Sequence, residues 1–249
     1  EAVSRIEGAI RNVPGVISVA ATSALPAGGG GFYLGKSFLA VNSNRDAVPG
    51  AWDVISPDYF DALRGQIRAG RAFSARDTAT APPVIILSSS LAKKLFPYEN
   101  AVGKQVRTVR DEAFDREVVG VADDVPYFAL ADTQSDVAYV PHGQQSWNTM
   151  EFIVRSRLDS GVLVPAIKAA VAGQDSRIAL AEMKTMDSCT NAGIIRPIGW
   201  EELEKAKLED AEGVTIRDRA PDEIKTLDGV PRVFLMVKAF TSPPKSLQR

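Results

Sequence analysis

The chain has 249 residues, 45% hydrophobic and 24% charged, a globular composition with room for one large or two modest domains. Its 29 basic and 31 acidic residues give a net charge of -2, so no global basic field is available to hold nucleic acid or an anionic membrane. One cysteine, Cys189, and one histidine, His142, exclude an internal disulfide framework and any metal site built from several of either.

The sequence opens at Glu1 with neither an initiator methionine nor a charged-then-apolar leader, which fits an excised piece. "AVSRIEGAIRNVPG" places Val3, Ile6, Ile10 and Val13 at helical spacing and ends in Pro-Gly, which predicts an amphipathic helix feeding the strand "VISVAATSAL". The uncharged stretch from Asn12 to Gly35 has membrane-span length. Pro14, Pro26 and the Gly28 to Gly31 run interrupt it, so it is not read as a transmembrane helix.

The middle of the chain is richer in strands: "AWDVIS", "PVIILSS", "KQVRTV", "REVVGVADD", "DVAYVP" and "EFIVRS". Between the first two, "PDYFDALRG" predicts a short helix with Ser56 as N-cap, Pro57 at the first helical position and Gly65 as the stop. "SSSLAKKLFP" predicts another, ended by Pro97. A second helix-to-strand unit, "SGVLVPAIKAAVAGQDSRIALAEM", puts Val164, Ile167 and Val171 on one face and echoes the first. Two such units at opposite ends of residues 1–187 imply an α+β subdomain whose halves pack together, with the middle inserted between them.

The run "VISPDYFDALRGQIRAGRAFSARDTATAPPVIILSSSLAKKLFPYENAVGKQVR", followed by "EVVGVADDVPYFALADTQSDVAYVP", carries Ser-Pro-x-Tyr-Phe, Gly-Arg-x-Phe, Leu-Phe-Pro, Val-Gly-Lys, Val-Val-Gly-Val and Tyr-Val-Pro in order. In that order and spacing it resembles the periplasmic core domain of MacB-type, FtsX-like ABC transporter permeases. It is most similar to the second periplasmic segment of duplicated permeases without a fused ATPase. The likeness spans about residues 1–188.

The resemblance implies an α+β fold: a porter-like part from residues 1–30 and 146–188, and a strand-rich mixed α/β part inserted at 31–145. It implies a non-catalytic module on the periplasmic side of the bacterial inner membrane, which couples ATPase-driven movement of membrane helices to export or to lipoprotein, lipid, drug or peptide handling. The implied partners are the rest of the permease, a separate ABC ATPase, and a second permease copy or a periplasmic adaptor, with no nucleic acid. No catalytic, cofactor-binding or metal-binding residue is assigned.

Candidate chemistry in the residues gives way to simpler roles. Arg64, Arg68 and Arg71 could clamp a phosphate or carboxylate, yet no strand-to-helix phosphate loop surrounds them, and Gly65 and Gly70 suit tight turns, so the cluster is read as scaffold. Asp123, Asp124, Asp132 and Asp136 lack the alternation and glycine of a calcium loop and are read as turn residues. Ser88, Ser89 and Ser90 have no glycine-framed elbow, so N-capping is the plainer role. They depart from a polar Asn-Glu pair frequent in related sequences. Gly28 to Gly31 precede no helix that could present amides to an anion, and a Cys189–His142 nucleophile pair lacks an orienting partner.

From Ser188 the sequence leaves the family pattern. Residues 189–249 form a polar tail, unassigned, in which "WEELEKAKLEDA" suits a charged helix and "RVFLMVKAF" suits a strand or an aggregation-prone apolar end. Part of it is faintly similar to the end of polymerase domains in bacterial end-joining ligases, over too few residues to assign. The runner-up function is a free-standing periplasmic ligand- or peptide-binding sensory domain, with a cleft lined by Tyr59, Phe60, Tyr127 and Phe128.

Overall fold

In the computed structural model of the chain, the described residues are 2–26, 34–109, 115–125, 135–145, 147, 149–174, 179–185 and 233–240. Gly28 to Gly31, Tyr127, Phe128, Asp132, Cys189 and the "WEELEKAKLEDA" segment lie outside them.

Helix α1 (Ala2–Arg11) leads into strand β1 (Val16–Thr22), as its apolar spacing predicts. Ile6 and Ile10 are fully buried and Val13 nearly so. Near the other end, β9 (Thr149–Ser156), α4 (Ser160–Ala172) and β10 (Ala179–Thr185) follow one another. On α4, Ile167 and Val171 are buried as expected, Val164 packs partly covered against the same cluster, and Leu163 is a further fully buried residue on that side.

β1 pairs antiparallel with β9, and β11 (Val233–Phe240) lies antiparallel between β9 and β10. The described part of the tail is therefore an interior strand of this terminal sheet. α1 and α4 cover one face of it, packing Ile6, Ile10, Leu163 and Ile167 against Val19, Phe152 and Val154.

Between the two ends run β2 (Leu34–Ala40), β3 (Val48–Ile55), α2 (Tyr59–Leu63), β4 (Ile67–Gly70), β5 (Val84–Ser88), α3 (Ser89–Leu95), β6 (Gln105–Thr108), β7 (Arg116–Ala122) and β8 (Val137–Pro141). Strands β3, β2, β6, β7, β5 and β8 pair in that order, and β8 also pairs with β3, so these strands close a ring. β3–β8 and β5–β7 are parallel pairs. Their residues are buried on both faces: Ile85 and Leu87 join one apolar cluster while Val84 and Ile86 join another. This is why "VIILS" reads as a continuous apolar run rather than an alternating one.

Two local expectations are corrected. α2 starts at Tyr59 with Asp58 at the cap position, and Ser56 is not its cap, because the Ser56 hydroxyl is engaged elsewhere by the Ala21 amide at 2.9 Å. The left-handed residue that ends the helix is Arg64 (φ 58°) rather than Gly65. At α3 the capping expectation holds, since the Ser88 hydroxyl accepts from the Leu91 amide at 3.3 Å.

Candidate functional site

Terminal sheet and ring meet where β1 touches β3. Thr22 lies opposite Ile55 there, and backbone hydrogen bonds run from the Ser23 amide to the Val54 carbonyl and from the Ser56 amide to the Ala21 carbonyl, each at 2.9 Å. Asp53, fully buried, ties the strands together: its carboxylate accepts from the Thr22 hydroxyl (2.8 Å to each oxygen) and from the Ser23 amide (3.1 Å) and hydroxyl (2.8 Å). A carboxylate removed from water is tolerable only with such a full set of donors. "AWDVIS" showed the acid inside an apolar strand, but its donors lie about 30 residues earlier.

A second set of contacts joins α1 to the ends of the parallel strands β3 and β8. Ser4, Glu7 and Arg11 fall on one helix face at intervals of three and four residues. The Ser4 hydroxyl lies 3.3 Å from His142 Nε2, Ser56 hydrogen-bonds Glu7, and Arg11 forms an ion pair with Asp58. Burial raises the pKa of Glu7, against the lowering effects of Ser56 and Arg11. Burial also lowers that of His142, which keeps the ring neutral at neutral pH. No sequence signal paired these residues, because they are far apart in the chain.

The arginine cluster resolves into internal pairing. Arg71 makes a two-pronged contact with Asp77, at 2.9 and 2.8 Å, and Asp77 also accepts from the Ser74 amide at 2.7 Å. Burial pushes the Asp77 carboxyl up, but the Arg71 and Ser74 hydrogen bonds outweigh it and hold the group below its usual value. Arg68 pairs with Asp123, and Arg64 is an exposed helix-ending residue. These arginines do not converge on one point.

The remaining candidates are also structural. Asp124 accepts from the Ser90 amide at 2.9 Å and Asp136 pairs with Lys94. Among the described residues no group of three or more potential ligands gathers to hold a metal. Ser88 also accepts from the Val137 amide at 3.0 Å, Ser89 donates to the Ala122 carbonyl at 2.9 Å, and Ser90 donates to the Ser135 carbonyl at 2.9 Å. The serine run thus stitches α3 to strands β7 and β8. Tyr59 and Phe60 do not line a cleft: they are 0% and 3% exposed and pack with Tyr139, with ring centroids 5.0 to 5.8 Å apart.

Two surface depressions stand out. One, of about 340 Å³, lies among Asn42, Arg45, Phe96, Tyr98 and Lys104; Tyr98 is 89% exposed, with the Arg45 guanidinium 5.8 Å from its ring. The other, of about 390 Å³, is a groove between α1 and α4 lined by Ala9, Val13, Ala166 and Ala170. Among the described residues no helix is long and apolar enough to cross a membrane.

The sequence matches the MacB-like periplasmic core domain family over residues 2–174. The chain belongs to that family. Among solved structures it is similar to the periplasmic region of MacB from Actinobacillus actinomycetemcomitans, at 18% identity and TM-score 0.50, covering 68% of this chain and 72% of that one. It is also similar to the extracellular domain of the noncanonic ABC-type transporter YknZ from Gram-positive bacteria, at 17% identity and TM-score 0.47, covering 70% of this chain and 83% of that one. No curated protein matches the sequence. The α+β architecture is that of a MacB-type periplasmic core domain, a periplasmic domain of the ABC-transporter-permease class.

Proposed function

We propose that this chain is the extracytoplasmic module of an ABC transporter permease and transmits the ATPase-driven motion of the membrane helices by its shape, without chemistry of its own. The family match over residues 2–174 is the observation that carries this reading. The internal pairing of Arg68, Arg71, Asp123 and Asp136 and the structural use of Ser88 to Ser90 support it, because they leave these groups committed to the scaffold. We divide the module into a porter-like part, residues 1–30 and 146–188, and an inserted part, 31–145. β1 and β9 belong to the first and the closed ring to the second.

Its partners are the membrane helices of the same permease, a separate ABC ATPase, and a second permease copy or a periplasmic adaptor on the bacterial inner membrane. α4 carries a single charge, Lys168, in 13 residues and exposes Val162 beside the α1–α4 groove, a surface suited to such contact. In the parent permease, deleting the module should abolish transport while ATP hydrolysis persists. Transport at the full rate without it would contradict this function.

A second reading, a ligand- or peptide-binding sensory domain, draws on the Arg45–Tyr98 depression, since exposed tyrosine and arginine favour binding hot spots. A peptide or small molecule that raises Tm in the intact chain but not after Tyr98→Ala would favour this reading.

A further inference from the structure

The terminal sheet contains a repeated unit that the chain order conceals. β9 and β10 are parallel and joined through α4, with β11 antiparallel between them. β11 and β1 are likewise parallel, with β9 antiparallel between them. α1 leads into β1 and shares a core with α4 on the same face. β11 therefore stands to α1 and β1 as β9 stands to α4 and β10, and it fills the place that a strand leading directly into α1 would take. The ends agree. Lys238 is opposite Glu151, and Glu151 is opposite Thr22, which meets Ile55. Ser4, near the start of α1, lies 3.3 Å from His142, whose amide donates to the Ile55 carbonyl at 2.9 Å. β11 thus finishes at the end of the sheet where α1 begins.

In the sequence, however, β11 follows β10 only after residues 186–232, although antiparallel neighbours need a turn of just a few residues. Its fit is nonetheless specific. The register sets Leu235 opposite Val154 and Val237 opposite Phe152, two members of the core beneath α1 and α4. It also sets Lys238 between two acids, opposite Glu151 of β9 and opposite Glu182 of β10. Unlike charges directly opposite one another favour a register, and like charges oppose it. Glu151 is 3% exposed, which strengthens the preference for a basic residue at this position.

We propose that the space between β9 and β10 is a strand-acceptor site, that residues 233–240 fill it in place of a strand leading into α1, and that such a strand competes with the tail for it. The site takes an apolar strand, antiparallel to both neighbours, with a basic residue at the register position of Lys238. In a permease, a strand fed into α1 from the membrane side has to displace the tail before it joins the sheet; that use rests on the reading above, whereas the competition is a property of this chain.

The test adds to the N-terminus of the full chain a second copy of Val233–Phe240, followed by a turn as long as residues 157–159, which link β9 to α4. Hydrogen exchange read by mass spectrometry tells the copies apart by their flanking residues. Loop closure favours the short connection over residues 186–232 by about tenfold or more. The added copy should become protected and the tail strand should exchange about tenfold faster than in the parent, while β9 and β10 keep their protection. A copy carrying Lys238→Glu should leave the tail in place. A tail strand as protected as in the parent beside the unaltered copy, or equal displacement by the Lys238→Glu copy, overturns the proposal. If the extended chain fails to fold, a circular permutant decides, with Arg249 joined to Glu1 and the chain opened after Gly213, so that residues 241–249 connect β11 to α1. It should fold with β9, β10 and β11 protected, and loss of that protection overturns the proposal. Either result concerns the chain alone and leaves the deletion experiment in the permease to decide the transport reading.

Discussion

Gly70 and Gly120 face one another across the β4–β7 pair with no room for a side chain on either. A Cβ at Gly70 would lie 2.1 Å from the Val119 carbonyl oxygen, and one at Gly120 would lie 2.4 Å from that of Arg71. Gly70 also has φ +73°, where an L side chain is strained. The obstructing atoms are backbone in both cases and cannot turn aside. Gly120→Ala should therefore cost about 3 kcal/mol of stability, whereas Gly8→Ala, with open space around its Cβ, should be tolerated. Denaturant unfolding of the two variants makes the comparison.

Asp77 should give the chain an acid-sensitive loop. Its folded pKa lies below the ordinary carboxylate value, so the stability it contributes is complete above the unfolded value and is lost as pH falls through the folded one. Asp77→Asn should be destabilising at pH 7, and the difference from the parent should shrink in strong acid. Arg71→Ala leaves a carboxylate that is 5% exposed without its guanidinium and should lower Tm. Thermal melts from neutral pH downward follow both effects.

Glu7 should behave in the opposite sense. Its pKa is raised by burial, so ionised Glu7 weakens the fold at neutral pH, and the penalty lifts as pH falls through the folded value. Glu7→Gln should raise Tm at pH 7, with the gain fading on acidification. His142 adds a contrary slope: with its pKa lowered, stability declines as pH falls below the unfolded value of about 6.5, until the folded group also takes its proton. His142→Gln, compared over the same pH range, separates the two slopes.

The junction depends on Asp53. Asn in its place offers one acceptor oxygen to the hydroxyls of Thr22 and Ser23 and the Ser23 amide, and its own NH₂ has to be accommodated. Asp53→Asn should cost about 1–3 kcal/mol, and hydrogen exchange should rise most at Ser23 and Val54, whose amides bond across the junction. Uniform exchange over the whole sheet would argue against a local tie.

Some of this arrangement could be read from the sequence and some could not. The long amphipathic α1 and the apolar runs of β5, β7 and β8 announce themselves by pattern, because their burial is set by their own residues. β4, "IRAG", has no apolar run and alternates between partly buried and exposed positions; it is a strand because β7 supplies its hydrogen bonds. β2 escaped notice for a related reason: Gly35, Lys36 and Ser37 dilute its pattern, and β3 and β6 define it from both sides. Ser56 looked like a helix cap, but the Ala21 amide and Glu7 engage its hydroxyl, which only the folded chain brings there. The scaffold role of Arg71 was legible from its turn-like setting. Its partner, Asp77, lies just six residues away but became evident only from the geometry.

The central proposal, that the module moves with the nucleotide cycle, is tested most directly by single-molecule energy transfer in the parent permease, reconstituted with its ATPase. One dye is placed at Val162→Cys in the module and the other on a membrane helix. Transfer efficiency should alternate between two levels as ATP is bound and hydrolysed, and should settle at one level when hydrolysis is blocked. A constant efficiency through sustained ATP turnover and transport would contradict the account.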